Sequence, residues 1–175
     1  FAAKSETFLN YVDYLGEAAL SLNNINLTKD EFLKSNYKDT NIKDSINAMI
    51  AKIGENLILN DLISFSNDNY FNYYIHNSYK ANIGKIISYI RYNASEKNNN
   101  VDNFSKNLCM HIAAMKPESL DIEDLDSNIV EKEKIIQKDL IQSSGKPSEI
   151  IDKILDGKMK KFYSEITLLN QTYIL

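Results

Sequence analysis

Between residues 57 and 92 the texture of the chain changes, and that change most restricts the folds open to it. Three runs rich in β-branched and aromatic residues, 57–65, 70–75 and 83–92, are separated by Asn, Asp and Ser, as strands are by their turns. Phe71, Tyr73 and Ile75 alternate with Tyr70, Asn72 and Tyr74, so a strand here would set one row against a core and the other toward water. On both sides the apolar spacing is helical. Phe8, Val12, Leu15, Ala19 and Leu22 recur at steps of four and three, and so do Ile42, Ile46, Met49 and Ile53. Strands in the middle and helices around them place the chain in the α+β class, with a small antiparallel sheet packed against helices.

Punctuation residues divide these runs into elements. Thr28-Lys29-Asp30-Glu31 has the spacing of a capping box, and Gly54 stands where a helix through Ile53 needs positive φ to end. Leu108, Ile112 and Met115 mark a further helix that Lys116-Pro117 closes. Residues 127 to 143 read as a charged surface helix, stopped by Ser144-Gly145-Lys146-Pro147. Ser148 caps the next, which carries Ile150, Ile151, Ile154 and Leu155. After Gly157 a basic stretch is expected to lead into a last β-like run, 166–169. Two helix-then-strand units look loosely alike, one through Ile53 and one through Leu155. An internal duplication would give such a pair, within one domain or two small subdomains.

Composition excludes several classes of function. With 20 basic and 24 acidic residues the net charge is -4, which argues against non-specific nucleic-acid binding, since that needs a basic surface to release counterions. No apolar run approaches the roughly 20 residues needed to span a bilayer. The single cysteine, Cys109, rules out an intrachain disulfide and any multi-cysteine metal site. The first residue is Phe rather than Met, which reads as a trimmed fragment.

Chemistry is hard to find. His111 lies beside the stripe of Leu108, Ile112 and Met115, two residues from Cys109, a spacing that does not bring side chains together on a helix. It reads as a packing residue. His76 ends the expected middle strand in Tyr74-Ile75-His76-Asn77, at a loop tip where functional residues gather. No histidine or cysteine spacing supports zinc, and no glycine loop precedes a Lys-Ser or Lys-Thr pair to hold phosphates. The acidic residues Glu118, Asp121, Glu123, Asp124 and Asp126 miss the calcium-loop spacing and read as a solvated loop. Lys158, Lys160 and Lys161 read as helix-end charge. No cofactor, metal or nucleotide of its own is expected, and no covalent catalysis.

Several segments, taken in order, resemble the elongation factor Ts family over nearly the whole chain. They are Phe1-Ala2-Ala3-Lys4, Ala51-Lys52-Ile53-Gly54-Glu55-Asn56, Tyr74-Ile75-His76-Asn77 and His111-Ile112-Ala113-Ala114-Met115-Lys116-Pro117. Then come Val130-Glu131-Lys132-Glu133, Ser144-Gly145-Lys146-Pro147, Gly157-Lys158-Met159-Lys160-Lys161-Phe162 and Leu169-Asn170-Gln171. The family's Thr-Asp-Phe-Val-Ala signature is represented by Phe1-Ala2-Ala3, with Ala2 in place of Val and without its first two residues. The resemblance implies a core of two related α/β subdomains, residues 1–66 belonging to the first and 67–175 forming the second. Lacking the family's N-terminal helical domain, this core would act as guanine-nucleotide exchange factor for the translational GTPase elongation factor Tu. It also implies partner contacts at Phe1 and Ala2, at Ile53 and Gly54, at His76 and Asn77, and at Ile174 and Leu175. Phe1 would be the wedge that disturbs the Mg²⁺ and phosphate region of the GTPase. No membrane and no direct nucleic-acid partner are implied. The alternative is a non-catalytic α+β interaction or assembly module. The Asn-rich bias and the residues 78–82 after His76, read as a loop insertion, tilt the expected compartment to a mitochondrion or plastid, with a bacterial cytoplasm as the alternative.

Overall fold

The computed structural model describes residues 2–65, 70–96, 98–143 and 147–174, with the backbone alone for Ala2, Ser148 and Glu149. It is an α+β protein, with six α-helices and two two-stranded antiparallel sheets among the described residues. The chain forms two compact units. The first comprises the chain up to Phe71 with Ile75–Ile87 and Arg91–Ser95, and the second comprises Asn72–Tyr74, Ser88–Ile90 and the chain from Glu96 onward.

In the first unit a 3-10 turn, Ala2–Lys4, leads into helix α1, Glu6–Ser21, whose first free N–H groups are met by Ser5: its hydroxyl accepts from Phe8 N at 3.2 Å. Helix α2, Lys29–Lys34, begins with the expected capping box, Glu31 N donating to Thr28 Oγ1 and Thr28 N to Glu31 Oε2. Two short strands follow, β1, Asn36–Tyr37, and β2, Thr40–Asn41, pairing Asn36 with Asn41 and Tyr37 with Thr40. Lys38 and Asp39 between them both take positive φ, the conformation of a two-residue hairpin turn whose twist matches its strands. Helix α3, Ile42–Ile53, is capped by Asn41 and ended by Gly54 at φ 77°, as expected. Tyr11, Ala18, Leu27, Phe32, Ile42 and Ile46 form the core of this unit.

The α1 stripe of Phe8, Val12, Leu15, Ala19 and Leu22 is half-buried, with Leu15, Ala19 and Leu22 packed against the core as the helical spacing implies, and Leu9, Tyr11 and Ala18 are the buried residues of the helix. A tyrosine enters the core because its hydroxyl finds a partner, Ser45 Oγ at 2.7 Å. The run 57–65 shows the alternating burial of a strand at Leu57 and Leu59, which pack on the core, yet makes no ladder among the described residues.

The long hairpin joins β3, Tyr70–Lys80, to β4, Ile83–Tyr92. Only Ala81 and Asn82 connect them, and Asn82 takes φ 63° to make the turn. The segment 78–82 is therefore not a loop after His76: three of its residues extend the strand.

In the second unit helix α4, Asn99–Met115, starts from Asn98, whose Oδ1 accepts from Asn100 N and Val101 N. It ends at Lys116, in the left-handed region before Pro117. Its buried residues are Ser105, Cys109, His111 and Ala113, with Leu108 and Ile112 of the stripe half-buried between them and Met115 exposed; Ser88 Oγ donates to Cys109 O at 2.6 Å and Asn72 Nδ2 donates to Ser105 Oγ. A 3-10 turn, Ile122–Asp124, precedes α5, Ser127–Ser143. Helix α6, Ser148–Ile166, packs on α5 through Ile141, Leu155 and Met159. Gly157 does not end α6, and the expected strand 166–169 is a single bridge, Ser119 to Thr167, followed by a 3-10 turn, Leu168–Asn170.

Candidate functional site

Of the eight residues to which the resemblance assigns a partner contact, Phe1 and Leu175 lie outside the described residues, and of Ala2 only the backbone is described, in the 3-10 turn before α1. The first unit carries four of the others. Ile53 is the last residue of α3 and is half-buried, whereas Ile42 at the start of the same helix is fully buried and belongs to the core. Gly54 beside it is exposed, and a Cβ there would meet no atom within 4 Å. Only φ requires glycine; the space is open.

His76 and Asn77 lie in the middle of β3, not at a loop tip, and both are exposed. Asn77 takes φ 51°, an interruption in strand geometry that asparagine tolerates better than most residues. Across the hairpin Gly84 lets the strands approach: a Cβ on it would overlap the Ile75 side chain and stand 3.1 Å from His76 O. Lys80 pins the far end of the hairpin to α1, with Nζ 2.5 Å from Asp13 Oδ2 and 2.8 Å from Asn10 Oδ1. Lys4 Nζ lies 5.7 Å from the centre of the Tyr79 ring. The turn that carries Ala2 and the hairpin that carries His76 are thus tied to one another by their own neighbours, a link that sequence spacing does not reveal.

The second unit carries Ile174, half of whose surface is exposed. Its neighbour Tyr173 packs beside Phe104 and His111, with ring centres 6.0 and 5.7 Å apart.

The groups suited to chemistry are placed otherwise. Cys109 is fully buried, and burial pushes its thiol pKa up, which suppresses the thiolate. His111 is 1% exposed, with Nε2 3.0 Å from Gln171 Oε1. In the acidic loop Asp121 and Asp124 cap their own 3-10 turn. Among the described residues no three His, Cys, Asp or Glu side chains are grouped to hold a metal ion. The first unit does contain an apolar cavity of 410 Å³ between α1 and the segment 56–62, lined by Phe8, Val12, Leu15, Leu57, Leu59 and Leu62. The half-buried α1 stripe is one of its walls. No charged residue lines it, and its one titratable lining residue, Tyr11, has its hydroxyl on Ser45 Oγ.

Among the described residues no helix is long and apolar enough to cross a membrane. The family model described as Elongation factor TS matches residues 1–175. Over 180 residues the chain is 38% identical to elongation factor Ts of Ehrlichia ruminantium (strain Welgevonden), covering 100% of this chain and 61% of that protein. With elongation factor Ts of Roseobacter denitrificans it is 34% identical over 175 residues, covering 100% and 57% respectively. The chain therefore spans about three fifths of the length of these curated relatives. Both are bacterial proteins, and they lend no support to the organellar compartment expected from the Asn-rich bias. A match along every residue, with the quoted segments in order, is decisive: the chain belongs to the elongation factor Ts family.

Proposed function

We propose that the protein acts in translation elongation as a guanine-nucleotide exchange factor for elongation factor Tu, and that it does so without covalent chemistry. The observation that carries this reading is the surface position of the described residues to which the family assigns contacts. Ile53 and Ile174 are apolar yet keep free surface, while Gly54, His76 and Asn77 are exposed. The residues suited to nucleophilic or acid–base work, Cys109 and His111, are sealed in the interior. Such a distribution supports recognition of a macromolecule more than turnover of a small substrate.

An exchange factor binds the nucleotide-free GTPase more tightly than the loaded one, and linkage then requires that it weaken nucleotide binding by the same ratio. Inverting an occupancy from 99:1 to 1:99 takes about 5.5 kcal/mol of differential binding. Buried apolar anchors supply energy of that order; exposed ion pairs, worth about 0–1 kcal/mol each, do not. Phe1 is the proposed wedge into the Mg²⁺ and phosphate region, with Ala2 beside it. Ile53 and Gly54 form a second contact, His76 and Asn77 a third, and Ile174 and Leu175 a fourth. The bacterial relatives make a bacterial cytoplasm the proposed compartment. The test is release of a fluorescent GDP analogue from elongation factor Tu, followed by stopped flow as the protein is added. Release should accelerate with protein concentration and saturate. No acceleration at concentrations where a complex forms would leave a binding module without exchange activity.

A further inference from the structure

Among the described residues, the backbone of residues 172–174 makes no hydrogen bond to other backbone, so side chains are what hold this segment. Two of them do this. Gln171 is buried, and its amide Nε2 donates to Glu165 O at 2.7 Å and to Met115 O at 3.3 Å. Those carbonyls belong to the last turns of α6 and α4, where no further helical N–H reaches them. With its NH₂ group committed to two acceptors, the amide must turn Oε1 the other way, toward His111 Nε2 at 3.0 Å. The proton of the imidazole is therefore on Nε2. His111 is itself 1% exposed, and its ring lies beside that of Tyr173.

Gln171 itself has φ -69° and ψ 145°, outside helical geometry, so the chain leaves the 3-10 turn at this residue. Gln171 is buried against His111, and Tyr173, though 41% exposed, sets its ring beside the same imidazole; Thr172 and Ile174 are exposed. We propose that His111 and Gln171 are positioning residues for partner binding, holding the C-terminal segment so that Ile174 is presented in one orientation before the GTPase arrives. This rests on the reading of Ile174 as a partner contact. Its physical basis is preorganisation: a segment ordered in advance loses less conformational freedom on binding.

The experiment is a double-mutant cycle on the full chain, titrated against nucleotide-free elongation factor Tu well below the unfolding temperature. A residue that acts through Ile174 has nothing to act on once that side chain is gone, whereas a merely structural role gives additive losses. Gln171→Leu and Ile174→Ala are each expected to weaken binding by about tenfold, and the double variant by no more than about twofold beyond Ile174→Ala. A hundredfold loss in the double variant, or unchanged binding by Gln171→Leu, overturns the proposal. Unchanged binding by Ile174→Ala alone removes the contact on which it rests, while the GDP-release assay still judges exchange separately. Should Gln171→Leu fail to fold, His111→Phe keeps a ring against Tyr173 and removes only the donor to Gln171. It enters the same cycle with the same two outcomes.

Discussion

Cys109 and His111 stand two positions apart on α4, and burial takes both out of contention for chemistry on a substrate. A thiol whose pKa is pushed up by burial holds little thiolate at neutral pH, and an imidazole committed to Gln171 has no route to solvent. The sequence allowed this much, since the pair lies along an apolar helix. It did not reveal Gln171 as the partner, which is 60 residues away. His76 is the opposite case. Its exposure is legible, but its place in mid-strand is not, because Ser78-Tyr79-Lys80 has the polarity of a loop and is held in the strand by pairing with β4 and by the Lys80–Asp13 ion pair. An exposed strand histidine contributes little to stability. His76→Ala is expected to weaken the complex with elongation factor Tu by about tenfold, a hot-spot effect, while the melting temperature stays within about 2 °C. Calorimetric titration beside thermal unfolding checks both, and a large drop in melting temperature would assign the residue to the fold instead. For Phe1→Ala, loss of a ring buried in the complex is worth about 2 to 3 kcal/mol. Stopped-flow GDP release at saturating factor should then slow by roughly 30- to 150-fold. Equal rates would make Phe1 a bystander.

At the scale of elements, the features legible in the sequence are those governed by local chemistry. The Thr28–Glu31 box, the Gly54 stop, the Lys116-Pro117 stop and the span of α5 depend on neighbours within a few residues. What sequence periodicity missed depends on distant partners: which polar residues of α1 and α4 are buried beside the apolar stripes, Tyr11, Ser105 and His111 among them, and whether 57–65 finds another strand. Gly157 shows the limit of glycine as punctuation. It lies in the interior of α6, where helical hydrogen bonds and the packing of Leu155 and Met159 on α5 carry the helix past it. A Cβ at Gly157 meets nothing within 4 Å, so Gly157→Ala should raise stability by about 0.5–1 kcal/mol through the unfolded chain's lost freedom. Gly54→Ala should lower it by about 1 kcal/mol despite equally open space, because φ is 77° there. Urea unfolding of the two variants side by side tests this, and a shift of the same sign in both would contradict it. The capping box adds a pH dependence. Hydrogen bonds from Thr28 N and its hydroxyl hold the Glu31 carboxyl below its ordinary value. A lowered folded pKa gives stability that is present above the unfolded value of about 4.3 and is lost as pH falls through the folded one. The stability difference between the parent and Glu31→Gln should therefore be largest near neutrality and fade in acid.

For the whole molecule, the family was legible from order and spacing: eight weak segments in sequence point to one family. No single segment does so alone. The proposed partner contacts were not legible from periodicity, because each residue, at a helix end, a mid-strand kink or the C-terminal segment, has an ordinary structural reading. An exchange factor for elongation factor Tu must prefer one state of that partner, and the dissociation constants of the protein for nucleotide-free and for GDP-loaded elongation factor Tu, measured in the same buffer, read that preference. The empty GTPase should bind more tightly by on the order of 10⁴-fold, the ratio needed to invert occupancy. Affinities equal within about threefold would contradict it.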